Sequence, residues 1–239
     1  MGETGWPLGY LDTTANGDPG PAWDSVSNSG GADRGVSTVA SGDGRVATVA
    51  GMLLTGGASR RMGMDKASLV IDGMPSAPRL GHLLAEACTR AIEVGPGRSS
   101  LPAVADDRPD QGPLVAVVTG WRTLRDTECP DAVVVLACDL PLLTATLVGL
   151  LVTWPTESSL VPVVGGHPQP LCAKWSAPDL ERAVSLAGAG RRSMRDLLDQ
   201  SSPVLLDEAE WSSFIDPVVF SDVDTVADLD RLGVQWSSR

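Results

Sequence analysis

Residues 46–66 read VATVAGMLLTGGASRRMGMDK, and the two halves of this stretch decide the fold. The first half, VATVAGMLL at 46–54, is a short apolar run rich in β-branched residues and ended by glycines, the pattern of a strand buried on both faces. The second half, Leu54 to Lys66, predicts a loop: Gly56 and Gly57 are paired, Ser59 offers a hydroxyl, and Arg60, Arg61 and Lys66 place three cations within seven residues. Paired glycines allow a backbone to approach a ligand closely and present its N–H groups, and the cations add the charge a phosphate attracts. By residue type alone, a glycine pair near basic residues is more often a solvated turn. It is neither a G-x-x-x-x-G-K-[ST] loop nor G-x-G-x-x-G. Nor is Ser59 a G-x-S-x-G nucleophile, because Arg61 stands where the second glycine belongs and only His82 and His167 could serve as histidine bases.

Outward from this stretch, strands alternate with helices. Ala67–Ile71 predicts a second strand closed by an Asp72-Gly73 turn, and residues 132–138 give a third, the most strand-like segment of the chain. Leu80, Leu83, Leu84, Ala87, Cys88 and Ala91 share one helix face, residues 112–124 can be helical after Gly112-Pro113, and Thr144 caps a stretch carrying Leu147, Leu150 and Leu151. SLVPVV and PLCAKW flank GGHPQ as a hairpin or two neighbouring strands. Ser176 and Pro178 open a helix that Gly188 closes, Ser193 caps another, and Thr225 with Asp228 starts the last. The alternation implies an α/β domain with a mostly parallel sheet, in which ligands sit at the carboxyl ends of strands.

That rule selects a second loop, Ala137-Cys138-Asp139-Leu140-Pro141, where the proline ends the strand and leaves Asp139 at the sheet edge. An aspartate there can be a turn or cap residue, or one of the one or two carboxylates that hold Mg²⁺ together with substrate phosphates. Cys138 reads as a small buried residue.

Composition narrows the choices further. The 239 residues, 43% hydrophobic, can build a sizeable core, and a formal net charge of −12 argues against nucleic-acid or polybasic membrane binding. Residues 1–45 hold 10 of the 26 glycines and a charge of −4, with no sustained period, which predicts a largely disordered leader before a domain at 46–239. Cys88, Cys129, Cys138 and Cys172 are far apart without C-x-x-C, so a reducing cytoplasm fits best, and no signal segment or membrane span is visible. Only two lysines occur, Lys66 and Lys174, so each asks for a reason.

Gly56, Gly57, Ser59, Arg61, Met62, Gly63, Asp65 and Lys66 together form GG-x-S-x-RMG-x-DK, which resembles the signature of the MobA-like nucleotidyltransferases, with Thr55 in place of the usual alanine. The resemblance implies a Rossmann-like three-layer α/β/α domain of the nucleotide-diphosphate-sugar transferase type. It further implies that Leu54, Gly56, Gly57 and Ser59 bind the nucleotide, that Arg61 and Lys66 act on its phosphates, and that Asp139 holds Mg²⁺. Asp65 reads as an orienter of the loop and Arg60 as solvent-facing. Asp106, ahead of Gly112-Pro113-Leu114, resembles an acidic position near the nucleotide and could equally cap the following helix. Gln169-Pro170-Leu171 resembles the acceptor-side QPL segment. Residues 222–229 resemble the terminal N-x-[ND]-T-P-x-DL, with Asp222 and Val226 departing from it.

The implied activity is Mg²⁺-dependent transfer of GMP from GTP to molybdopterin, with the Gly56-Gly57 pair associated with guanine. A cytidylyl- or other nucleotidyltransferase with a different phosphorylated acceptor, and a non-catalytic nucleotide-binding regulator, are the alternatives. The implied partners are GTP, molybdopterin or another phosphorylated acceptor, and enzymes that make or receive the molybdenum cofactor; neither nucleic acid nor membrane is expected.

Overall fold

Strand β3 (Val49–Leu54) is buried at all six residues, as its unbroken apolar run requires of a central strand. The computed structural model of the chain describes residues 39–40, 46–56, 69–71, 73–105, 111–223, 226–232 and 236–237, all within one unit, Val36–Arg239. Ahead of β3 lie β1 (Val39–Ala40) and β2 (Val46–Ala47), an antiparallel pair. After it come β4 (Val70–Ile71), β5 (Met74–Pro75), α1 (Ser76–Ala87), β6 (Ala91–Val94), β7 (Ala103–Val104), α2 (Pro113–Thr127) and β8 (Ala132–Ala137). The chain continues through α3 (Ala145–Thr153), β9 (Leu160–Val164), β10 (His167–Pro168), β11 (Cys172–Ser176), α4 (Ala177–Gly188) and α5 (Met194–Gln200). It ends with β12 (Val204–Leu206), α6 (Glu208–Trp211), α7 (Val226–Arg231) and β13 (Trp236–Ser237). The expected leader, 1–45, lies outside the described residues except for β1.

The main sheet runs β10-β9-β11-β8-β3-β6-β7, with β12 parallel to β9. Strands β8, β3, β6 and β7 are mutually parallel; β11 is antiparallel to both β8 and β9. From β3 the chain builds outward to β6 and β7, then returns to place β8 on the other side of β3. The direction of winding therefore reverses between β3 and β8, and a crevice opens there beyond their carboxyl ends, the place where open α/β sheets take ligands.

Alternation along the strands divides the core. Val49 and Leu53 of β3 with Val134 and Leu136 of β8 face α1 and α3, against Leu80, Leu84, Leu147 and Leu151. Ala50, Met52 and Leu54 with Val133 and Val135 face α2 and α4, against Trp121, Leu124 and Leu180. Two helical layers on one sheet give the three-layer α/β/α arrangement.

Local chemistry sets the element ends much as expected. Thr144 caps α3, its hydroxyl accepting from Leu147 N at 3.4 Å, and Ser193 forms a capping box with Asp196 at α5. Gly165 and Gly166, at φ +54° and +80°, make the tight turn that joins β9 to β10. One expectation fails: Ala91 does not extend the face of α1. The helix ends at Ala87, Cys88 N still bonds Leu84 O at 3.0 Å, and Ala91 opens β6. The expected helix starting from Thr225 is present as α7, although Thr225 itself lies outside the described residues.

Lys174 has a structural role. It is 3% exposed on β11, and its Nζ donates to Trp154 O at 3.0 Å and Thr156 O at 3.3 Å, satisfying the chain end of α3. Burial pushes its ammonium down to about 8. Among the described residues no helix is long and apolar enough to cross a membrane.

Candidate active site

The crevice between β3 and β8 is built from strand ends. Leu54, the last residue of β3, is buried and pairs in register with Ala137, and Cys138 N donates to Leu54 O at 3.1 Å, continuing the ladder one residue beyond the strand. That bond sets Asp139 beside the start of the glycine-rich loop. Thr55 is buried, with its N–H on Val94 O at 3.1 Å, and Gly56 emerges exposed.

Asp139 is half-buried and the loop that carries it is held on two sides. Its carbonyl accepts from Val223 N at 3.1 Å, so the late chain returns to this loop. The guanidinium of Arg79, on α1, donates to Pro141 O at 2.7 Å and Leu143 O at 2.8 Å. The 169–171 segment reaches the same end of the sheet because Ala137 N donates to Leu171 O at 3.1 Å. There the Gln169 amide donates to His167 O at 3.0 Å, and Pro170 O accepts the Trp175 indole N–H at 3.0 Å. Leu54, Gly56, Asp139, Gln169 and Pro170 are thus gathered at one edge. Gly57, Ser59, Arg61 and Lys66 lie outside the described residues, as does Asp106. The α2 N-cap is Gly112, which has no side chain, and its first-turn amide Leu114 N turns to Arg192 O at 3.1 Å.

A third loop meets this edge. Glu93 on β6 has no exposed surface, yet its carboxylate accepts five hydrogen bonds. Thr55 Oγ1 (2.5 Å), Gly97 N (2.8 Å) and Arg98 N (2.7 Å) donate to Oε1; Ser99 N and Ser99 Oγ, both at 2.7 Å, donate to Oε2. Burial alone would raise its carboxyl, but the hydrogen bonds from Ser99, Thr55 and the loop amides outweigh it and hold the group below the usual carboxylate range. Gly95, at φ +151°, packs directly on this junction: a Cβ there would collide with Thr55 Oγ1 and lie 3.1 Å from Gly56 N.

Among the described residues no group of three or more His, Cys, Asp or Glu side chains could hold a metal ion. One hard carboxylate at an open sheet edge does not suit a closed structural zinc site. It does suit Mg²⁺, which keeps waters and takes one or two carboxylates along with substrate phosphates.

The model of the MobA-like NTP transferase domain matches residues 51–204, spanning the crevice strands and the segments on either side of it. The chain belongs to the MobA-like NTP transferase family. It is 33% identical to a molybdenum cofactor guanylyltransferase of Xanthomonas euvesicatoria over 147 residues, 62% of this chain and 75% of that protein. It is 32% identical to a probable molybdenum cofactor guanylyltransferase of Mycobacterium avium over 197 residues, 77% of this chain and 94% of that one. Its fold matches the crystal structure of molybdopterin-guanine dinucleotide biosynthesis protein A from Archaeoglobus fulgidus with a TM-score of 0.60 at 18% identity, covering 76% of this chain and 95% of that one.

For a MobA-like NTP transferase, the sequence reading missed Glu93 and Arg79. Glu93 had left a signal, an acid within the apolar run AIEV, where an uncompensated carboxylate would be costly. Arg79 had left none, since its partners are backbone carbonyls more than sixty residues away.

Proposed function

We propose that the chain transfers GMP from GTP to molybdopterin and releases pyrophosphate. What carries the proposal is the placement of Asp139 one residue past the Cys138 N to Leu54 O bond, directly beside the start of the GG-x-S-x-RMG-x-DK stretch. Family membership and relatives named molybdenum cofactor guanylyltransferase favour this nucleotide and acceptor.

A phosphate oxygen of the acceptor attacks the α-phosphorus in line, a new P–O bond forms, and the bond to the bridging oxygen breaks as pyrophosphate leaves. No protein nucleophile is required, because the attacking phosphate is already anionic at neutral pH. Leu54, Gly56, Gly57 and Ser59 would seat the nucleoside and the first phosphates through backbone N–H groups and a hydroxyl, with Asp106 near the sugar or base. Arg61 and Lys66 would stabilise charge on the α-phosphoryl and leaving groups. Asp139 would hold Mg²⁺, which when bound neutralises charge on the phosphoryl oxygens. Gln169 and Pro170 would border the acceptor. We place the chain in the cytoplasm, with residues 1–45 as a leader dispensable for turnover.

Calorimetric titration with GTP, CTP and ATP, each with and without Mg²⁺, tests this reading. Tight GTP binding that requires Mg²⁺, followed by pyrophosphate release on adding molybdopterin, is the expected outcome. A preference for CTP would reject guanylyl transfer, and metal-independent binding without turnover would indicate a regulatory module.

A further inference from the structure

Glu93 is a buried carboxylate with no part in the chemistry above. Its charge is compensated by donors from two separate segments, Thr55 on one side and Gly97, Arg98 and Ser99 on the other. A carboxylate collecting that many hydrogen bonds keeps its charge despite burial, and charge-assisted bonds in a low-dielectric setting are directional and strong. Among the described residues, the hydroxyl of Thr55 is the one donor that comes from the β3 side.

Thr55 stands between buried Leu54 and exposed Gly56, where the chain leaves β3 for the glycine-rich loop. Its N–H is anchored to Val94 and its hydroxyl to Glu93, while Gly95 leaves room for it by lacking a Cβ. We propose that Glu93 and Thr55 act as a pair of positioning residues that fix the exit of β3, and with it the Gly56 amide, against the 95–99 loop for nucleotide binding. The inference rests on the nucleotide-binding reading of this edge. It assigns Thr55, the residue that departs from the signature's alanine, a function: its hydroxyl is the link that an alanine could not make.

The test uses the full chain with GTP and Mg²⁺ and compares Thr55→Val, which keeps the shape and loses the donor, with Thr55→Ser, which keeps the donor. Thr55→Val and Glu93→Gln should each raise the GTP KM about tenfold with a smaller change in kcat. The double variant should fall short of the sum of the two single effects, because Glu93→Gln weakens the same acceptor that Thr55→Val leaves without its donor. Thr55→Ser should restore a KM near that of the unaltered chain. Hydrogen exchange at Gly56 and at Gly97–Ser99 should accelerate in Thr55→Val and not in Thr55→Ser. Equal KM values for the valine and serine variants, additive effects in the double variant, or unchanged exchange would overturn the inference. An unaltered chain that neither binds nor turns over GTP would instead reject the nucleotidyltransferase reading itself.

Discussion

Lys174 carries the clearest single-residue prediction. Its two acceptors, Trp154 O and Thr156 O, match the two N–H groups of a neutral amine, so losing the proton leaves both carbonyls satisfied. In the folded chain the ammonium titrates near 8, against 10.5 in the open chain, and burial is the cause. Between these values the unfolded chain binds the extra proton, so stability rises with pH across that window. The unfolding free energy of the unaltered protein should gain on that of Lys174→Met by up to about 3 kcal/mol between pH 8 and pH 10.5. Parallel pH curves in urea titrations would show that the buried amine is not the source. The rarity of lysine in the sequence pointed to both lysines without distinguishing a phosphate ligand from a helix-end donor, since that distinction depends on burial. Glu93 is the reverse case: its type was conspicuous in AIEV, but its donors come from the 97–99 turn and from Thr55 at the end of β3, which only the folded chain brings together.

At the level of elements, α1 does more than cover the sheet. Its apolar face, Leu80 and Leu84, packs on β3 and β6, while Arg79 forks outward onto Pro141 O and Leu143 O and pins the loop that presents Asp139. Arg79→Met should raise the Mg²⁺ concentration for half-maximal turnover at least about tenfold, with the far-ultraviolet spectrum unchanged. Arg79→Lys should recover only part of the loss, because an ammonium cannot reproduce the planar fork. An unchanged Mg²⁺ requirement in a folded Arg79→Met variant would mean the loop holds itself. Helices α1 and α3 were legible through an apolar face and α2, α4, α5 and α7 through their end residues, whereas α6, four residues long, shows no period. The same signal misled at Ala91, where the 3.6-residue period happens to run on through Cys88 after the backbone has turned into β6. Strands β7, β10 and β12 are two or three residues long, too short for any period to show, and they exist because a neighbouring strand offers its edge.

Across the whole molecule, the late chain returns to the candidate site by two routes. Val223 N bonds Asp139 O, and the Val223 side chain, 1% exposed, packs with Leu69 and Ile71 just after the glycine-rich loop. Farther on, β13 pairs with β4, Trp236 against Ile71. Segments on both sides of the nucleotide loop are therefore tied to a region outside the main core, whose two clusters end at Phe220 and Leu197. Truncation after Ser221 should leave the α/β core folded, because Val223 with its bond to Asp139 O, α7 and β13 lie outside the two main core clusters. It should lower the melting temperature by only a few degrees, as expected for about 1 to 2 kcal/mol in a domain of this size. Turnover should fall much further than stability, with the GTP KM up about tenfold, since Asp139 and the exit of the loop lose a shared support. Val223→Ala should show the same pattern in weaker form. A truncated chain with unchanged KM would mean that the crevice between β3 and β8 is complete without the late chain. A collapse of the melting temperature by more than about 15 °C would instead make the small cluster part of the cooperative core.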